Sequence, residues 1–388
     1  MKKIKKLLYL LQLEEYDIGR YFAWLEKNDI NRFEERKSSL KWTARICSIF
    51  ALTILLSAFS SREKAVGDAN KLAIPLFSFL EEASVLLTKI KLSFYPKPIR
   101  IVITGSYGKT TFKEMLAWVL QGKYVVLSTS GNINTRIGIA QMILKKLHKK
   151  HEVLIVEAGA YKKGEIKEIC ELIKPTIGAI TVIGWMHLER FGTMENIRKT
   201  KMELADFVKD KKNFFYPKEN HKFINFEEAI TEIGKSLGMA EGEIDKRLRN
   251  FVPPKNRLRE KKIRENLAII EDDYNSNPLG FEKALTVLAG YKKWQRIVVT
   301  AGMIELGEKQ FELNCKLGEE AAKVADMVVV VGETNKDALL AGANKVKGGK
   351  RQIVWWPKDK NTDPEISSLF RPPTVILKEN DFLPDNYF

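Results

Sequence analysis

Cysteine is nearly absent from the chain, with Cys47, Cys170 and Cys315 scattered through 388 residues. That excludes a disulfide framework and a four-cysteine zinc site, and it suits a reducing, cytoplasmic compartment. Internal repeats and low-complexity linkers are missing as well. So is a hydrophobic run long enough to span a bilayer, which needs roughly 20 apolar residues. The nearest approach is Ile46–Ser61, 16 residues without a charge between Arg45 and Arg62, diluted by Ser48, Thr53, Ser57, Ser60 and Ser61. It lies too far into the chain for a secretory signal. Two readings stay open: a buried helix, or a short membrane-dipping or membrane-lying helix helped by the basic Met1–Lys6 start and the flanking arginines.

Acidic residues are in deficit. Lys+Arg number 65 against 49 Asp+Glu, a formal charge of +16. Such an excess favours an anionic partner. It is spread out, however: residues 1–96 hold 16 basic and 11 acidic side chains, leaving 49 and 38 for the remainder. With no base-stacking or groove-reading motif, nucleic acid is not expected. Hydrophobic residues at 45 % and charged residues at 29 % describe a folded chain, and the length suits two or three domains.

Residues 1–96 read as apolar helices. Ile4, Leu7, Leu8 and Leu11, then Ile18, Tyr21, Phe22 and Leu25, recur at the helical period. Leu72, Leu76, Phe77, Leu80, Leu86, Leu87 and Ile90 outline another amphipathic helix within 72–92. Tyr95-Pro96-Lys97-Pro98 then breaks the chain, and a domain boundary is placed there. After it the grammar turns to alternating strand and helix, which predicts α/β architecture with largely parallel sheets. Strands are expected at Ile99–Ile103, Tyr124–Leu127, Val153–Val156, Ile177–Val182, Leu267–Ile270, Arg296–Val299, Met327–Val331 and Ile353–Trp355. A second boundary falls near Pro253-Pro254, where an Arg- and Lys-rich connector leads into a new series. The domains expected are therefore 1–96, 97–254 and 255–388.

The first chemical motif follows the first strand. Thr104-Gly105-Ser106-Tyr107-Gly108-Lys109-Thr110-Thr111 opens a helix that runs through Leu120. Gly105 and Gly108 let the backbone wrap a phosphate, with N–H groups and the helix N-terminus aimed at the anion. Lys109 would reach the β- and γ-phosphates and the Thr110 hydroxyl would ligate Mg²⁺. The full Walker pattern wants a glycine where Ile103 stands.

That departure is itself a family trait. Thr104–Thr111 resembles the ATP loop of the Mur ligases, the amide-forming enzymes of peptidoglycan precursor synthesis, which also lack the early glycine. Further motifs follow in family order. Gly131-Asn132-Ile133-Asn134-Thr135-Arg136-Ile137-Gly138 is similar to the substrate-side segment, with Ala140 where a proline is usual. Val156-Glu157-Ala158-Gly159-Ala160 resembles the family's acidic strand end. His187-Leu188-Glu189-Arg190-Phe191-Gly192, then Ile197 and Lys201-Met202-Glu203-Leu204, resembles the next block. Asp272-Asp273-Tyr274-Asn275-Ser276-Asn277-Pro278 and Gly302-Met303-Ile304-Glu305-Leu306-Gly307-Glu308 resemble the branch that adds D-Ala-D-Ala, the MurF type. Folate-polyglutamylating relatives usually carry a histidine where Asn275 sits. The resemblance covers roughly residues 99–345.

It implies a P-loop central domain, a Rossmann-like C-terminal domain and ATP-driven amide formation with two Mg²⁺ ions. Both steps of that chemistry build negative charge, so cations and fixed dipoles must surround the phosphoryl group. By resemblance, Lys109, Glu157, His187 and Lys201 are catalytic. Gly105 through Thr111, with Arg257, Asn275 and Asn277, hold the nucleotide. Asn134 and Thr135 orient the acceptor or amine. Thr110 and Glu157 take the first Mg²⁺, an oxygen-seeking ion; His187 and a carbamylated Lys201 take the second. Plainer roles stay open: Glu157 as an ordinary strand-end carboxylate, Lys201 as part of a solvated basic run, and Asn275 and Asn277 as an Asx turn capping a helix. Lys145–His151 reads as a solvated helix end.

The departures bear on substrate. The family branch opens with a compact α/β domain for a uridine nucleotide, and residues 1–96 show no such pattern. The Leu204–Asp272 stretch is short, Leu377-Lys378-Glu379-Asn380 replaces a "KGS" sequence, and Asn314 lies near the place of a family histidine. The partners expected are an anionic peptide-bearing precursor, nucleotide- or lipid-linked, and an amino acid or dipeptide amine, with a membrane surface as a further candidate. Two functions remain: a carboxylate–amine ligase, and a nucleotide-binding regulatory or scaffold paralogue that has lost ligation.

Overall fold

In the computed structural model, residues 2–14, 16–31, 33, 40–94, 98–131, 133–219, 222–255, 257–272, 276–347, 352–357 and 370–380 are described. The expected break at Tyr95–Lys97 and the motif residues Asn132, Asp273, Tyr274 and Asn275 lie outside them. The chain forms two compact units, Met1–Leu86 and Leu87–Phe388.

The first unit is helical, as expected: α1 (Lys2–Leu13), α2 (Ile18–Lys27), α3 (Ala44–Leu56) and most of α4 (Arg62–Phe94). Leu7, Leu8, Leu10 and Leu11 of α1 are fully buried with Tyr21, Ile46, Ile49, Val66 and Ala69. Two polar side chains inside find partners: the Tyr21 hydroxyl donates to Glu63 O, and buried Asn70 donates to Tyr16 O. The charge-free stretch is helical only to Leu56, because Ser57–Ser60 turn. Its Ile46, Ile49 and Thr53 face the core, yet Ile54, Leu55 and Phe59 are exposed. No helix among the described residues is long and apolar enough to cross a membrane.

The second unit begins within α4, whose last turns dock onto the helix behind the first sheet: Thr88 donates to Ala140 O and Lys91 to Ile143 O and Leu144 O. Its elements alternate. The run is β1 (Ile99–Thr104), α5 (Lys109–Leu120), β2 (Val126–Ser128), α6 (Arg136–Lys146), β3 (Val153–Glu157), α7 (Glu165–Ile173) and β4 (Ile177–Ile180). It continues with α8 (Leu188–Phe191), α9 (Met194–Met202), β5 (Phe214–Phe215), α10 (Phe226–Ser236) and α11 (Glu241–Arg249). These strands make one parallel sheet in the order β2-β3-β1-β4-β5. Strands β1, β3 and β4 are nearly all apolar because helices cover both faces.

The rest comprises β6 (Arg259–Arg264), β7 (Leu267–Asp272), α12 (Pro278–Ala289), β8 (Gln295–Thr300), α13 (Gln310–Val324), β9 (Met327–Val331), α14 (Lys336–Asn344), β10 (Gln352–Trp356) and β11 (Thr374–Glu379). The second sheet runs β10-β9-β8-β11-β7-β6, parallel except for β6.

Three strands differ from expectation. The Arg- and Lys-rich connector is itself a strand, β6, antiparallel to β7 and exposed along its length. Charged side chains suit an outer strand, where they discourage pairing with another chain. Strand β5, two residues long, is an addition to the strands expected. The stretch replacing "KGS" ends β11, a buried central strand that the preceding Pro372-Pro373 disguised.

Candidate functional site

The loop at the end of β1 is built by its neighbours. Gly105 has φ +141°, and a Cβ there would lie 2.1 Å from the Thr181 Oγ1 just beyond β4. Gly108, the N-cap of α5, has φ +76°. Both positions need glycine. Ser106 pins the turn from inside, donating its hydroxyl to Gly184 O and accepting from Gly184 N. Register does the rest: Ile103 pairs with Glu157, so the β3 carboxylate emerges beside the loop.

Lys109 is buried and donates to Gly105 O (2.8 Å) and Ser106 O (3.1 Å). Burial pushes its ammonium down to about 8, Glu157 opposes that shift and Arg257 adds to it. The Thr110 hydroxyl donates to Glu157 Oε2 at 2.9 Å, and Asn134 reaches Oε1 at 3.5 Å. A hydroxyl, a carboxylate and an adjacent phosphate cradle form the oxygen-rich donor set that Mg²⁺ takes when it keeps several waters and binds through phosphates. Among the described residues no group of three or more His, Cys, Asp or Glu side chains converges as a metal cage. The Thr110–Glu157 donor set fits a metal that arrives with a phosphate ligand.

Lys201, near the end of α9, is 3 % exposed. Burial, helped by neighbouring Lys109 and opposed by Glu165 and Glu203, lowers its ammonium to about 7. Those two carboxylates are held by backbone donors, Glu165 from Tyr161 and Lys162, Glu203 from Gly164 and Lys167. Burial favours the neutral amine, the form that adds CO₂, so the residue fits carbamylation. His187 stands at the N-cap of α8 with φ +52°. Its Nδ1 is hydrogen-bonded to the Glu305 carboxylate and its ring meets Tyr161 edge-on at 4.5 Å. A carboxylate only accepts, so Nδ1 carries the proton, and in the neutral ring that leaves Nε2 to take a metal, the arrangement seen in metal-binding histidines.

The C-terminal half supplies the other wall. Asn277 is the N-cap of α12, accepting from Gly280 N, so the helix-capping role is filled while the residue also lines the cavity. One cavity is bordered by Ser106, Tyr107, Gly108, Lys109 and Thr110, by Asn134, Glu157, His187 and Lys201, and by Arg257 and Asn277. Gly105 lies behind the loop it shapes. Thr111 and Thr135 do not line the cavity; Thr135 caps α6 by accepting from Gly138 N. Asn275 is outside the described residues.

Sequence reasoning passed over Tyr161 and Lys113 and gave Glu305 no role. The signal for Lys113 was present: it follows Lys109 by four residues, on the same helix face, between Phe112 and Leu116.

Residues 103–252 match the Mur ligase middle domain and residues 256–377 the Mur ligase, glutamate ligase domain. A UDP-N-acetylmuramoyl-tripeptide–D-alanyl-D-alanine ligase of Treponema pallidum is 25 % identical over 342 residues, covering 74 % of this chain and 72 % of its own length. Its Bacillus subtilis counterpart is 28 % identical over 272 residues, 55 % of this chain and 59 % of its own length. The chain thus spans 59–72 % of the length of these curated relatives. The fold is shared with the crystal structure of MurF from Acinetobacter baumannii, at TM-score 0.68 and 22 % identity over 78 % of this chain and 77 % of that one.

Proposed function

The chain belongs to the Mur ligase family, and we propose that it is an ATP-dependent carboxylate–amine ligase, releasing ADP and acting on a peptidoglycan-type peptide precursor. One observation carries the reading: Lys109, the Thr110–Glu157 pair, His187, Lys201, Arg257 and Asn277 border a single cavity although they come from both halves of the unit.

In this reaction an acceptor carboxylate oxygen attacks the γ-phosphorus of ATP, and the bond to the bridging oxygen breaks to leave ADP and an acyl phosphate. The amine then attacks the acyl carbon, phosphate departs, and an amide and a proton result. Lys109 and Arg257 balance charge on the phosphoryl oxygens, and the loop N–H groups hold them in place. Thr110 and Glu157 hold the first Mg²⁺; His187 Nε2 and carbamylated Lys201 hold the second. Bound Mg²⁺ supplies charge neutralisation on the phosphates. Asn134, fixed beside Glu157, orients the acceptor or amine, with Thr135 shaping the turn from behind.

The relatives' names support a nucleotide-linked muramyl peptide as acceptor and D-alanyl-D-alanine as amine. A lipid-linked acceptor is the alternative, since the first unit is helical and lacks the nucleotide-holding α/β pattern. Exposed Leu55, Phe59, Leu72, Leu76 and Phe79, with the basic start of α1, support its lying on the inner membrane face. The intact charged cavity supports a ligase over a scaffold that has lost ligation.

The deciding experiment is ADP release by purified protein with Mg²⁺, panels of UDP- and lipid-linked peptides, and candidate amines. Turnover requiring both acceptor and amine is expected. Nucleotide binding without acceptor-dependent turnover in any panel would return the scaffold reading.

A further inference from the structure

Lys113 lies one helical turn beyond Lys109 and is wholly buried. Its Nζ is 3.2 Å from Gly131 O, 3.2 Å from Glu114 Oε1 and 3.4 Å from Glu157 Oε2. That last oxygen also accepts the Thr110 hydroxyl. Glu157 itself is 3 % exposed, and its backbone N–H donates to Thr129 Oγ1 in the strand-end turn that leads to Gly131. One ammonium therefore joins α5, the end of β3 and the turn at 129–131, which leads on to Asn134.

We infer that Lys113 is a positioning residue with two effects: it is the buried counter-ion that moderates the affinity of Glu157 for a divalent cation, and it tethers the Gly131 turn beside the acceptor. The inference rests on the proposed function. A carboxylate taken out of water needs a compensating charge. Lysine supplies one here on a stem long enough to cross from the helix, and its three donors serve three acceptors without blocking the Oε1 side, where Asn134 lies. A fixed positive charge beside Glu157 repels an incoming cation. Without it the metal binds more tightly, while the turn loses its anchor and acceptor turnover falls. A merely structural lysine would not move these two readouts in opposite directions.

The test is Mg²⁺-dependent binding of a fluorescent ATP analogue to the full chain, with melting curves as the control for folding. Lys113→Met is expected to lower the Mg²⁺ half-saturation at least threefold and to cut acceptor-dependent kcat at least tenfold. Lys113→Gln keeps a donor for Gly131 O without the charge, so it lowers half-saturation similarly and retains more kcat; it also serves if the methionine variant fails to fold. Glu157→Gln removes the partner, and adding Lys113→Gln to it should leave Mg²⁺ dependence unchanged. Unaltered half-saturation in a folded Lys113→Gln protein overturns the assignment alone. Absence of any Mg²⁺-dependent nucleotide binding by the wild type overturns the proposed function with it.

Discussion

Glu305 meets His187 of the cavity wall, carboxylate to Nδ1, and both hold left-handed backbone, at φ +63° and +52°. The Leu188 N–H donates to Glu305 O as well, so side chain and backbone together join the loop after β8 to the start of α8. The contact sets which imidazole nitrogen is free. Removing it with Glu305→Ala should lower ligation roughly 10- to 100-fold, the usual cost of losing a carboxylate behind a metal-binding histidine. The requirement for divalent ion should rise while ATP binding stays near wild type. Titrations with Mg²⁺ and Mn²⁺ would show this, and an unchanged ion requirement would sink the role given to His187.

Among the described residues, Lys109 donates to its own loop, through Gly105 O and Ser106 O. Phosphates would give it stronger partners. Lys109→Met should weaken ATP binding about 100-fold, equivalent to about 2.7 kcal/mol. The melting temperature should hold or rise, because burial, the largest influence on this ammonium, opposes its charge. A large fall in melting temperature with intact ATP binding would contradict the assignment.

Lys201 gives a pH prediction with a definite sign. Its folded pKa is lowered to about 7, so between there and the ordinary lysine value the unfolded chain holds the extra proton. Stability from this group therefore rises with pH across that window and is lost as pH falls towards 7. In CO₂-free buffer the wild type should gain stability from pH 7 to pH 9 more steeply than Lys201→Met, by on the order of 1 kcal/mol per pH unit. Bicarbonate should restore ligation to CO₂-depleted wild type and do nothing for Lys201→Met. Turnover indifferent to CO₂ removal would refute carbamylation.

Why was so much of this legible in residue order? The loop after β1 and the carboxylate at the end of β3 are consecutive in chemistry and adjacent by strand register, so local motifs named both. Glu305 stood within a quoted motif, but its partner lies 118 positions away, and no spacing reveals that. Lys113 was passed over because a lysine on a helix is ordinarily a solvated residue; here the carboxylate that draws it inward belongs to another strand. Strand β11 was hidden by its flanking prolines, and β6 by charges that only an exposed outer position explains.

The first unit offers a separable test. Leu72, Leu76 and Phe79 on α4 are 57–70 % exposed, at spacings that place them on one face. If that face lies on a membrane, the wild type should cosediment with vesicles containing anionic phosphatidylglycerol, less so at high salt. Leu72→Ser with Phe79→Ser should reduce the bound fraction at least fivefold with ADP release in solution unaffected. Equal sedimentation of the two proteins would remove the membrane from the proposal.

Asn314 holds the loop that carries Glu305. Fully buried on α13, it accepts from Met303 N at 2.7 Å and donates to Met303 O, Gln310 O and Asn335 Oδ1. Asn335 in turn donates to Ala301 O and Met303 O, and Gln310 accepts from Leu306 N. An amide side chain accepts and donates at once, and leucine of similar size can do neither. Asn314→Leu would leave the buried Met303 N–H without its partner, at roughly 2–4 kcal/mol once the lost bonds are included. Urea unfolding should show that loss. Because the freed loop ends on His187, the variant should also share the altered divalent-ion dependence of Glu305→Ala, and combining the two should add little to that dependence. Full additivity would mean that the amide network and the His187 contact act independently.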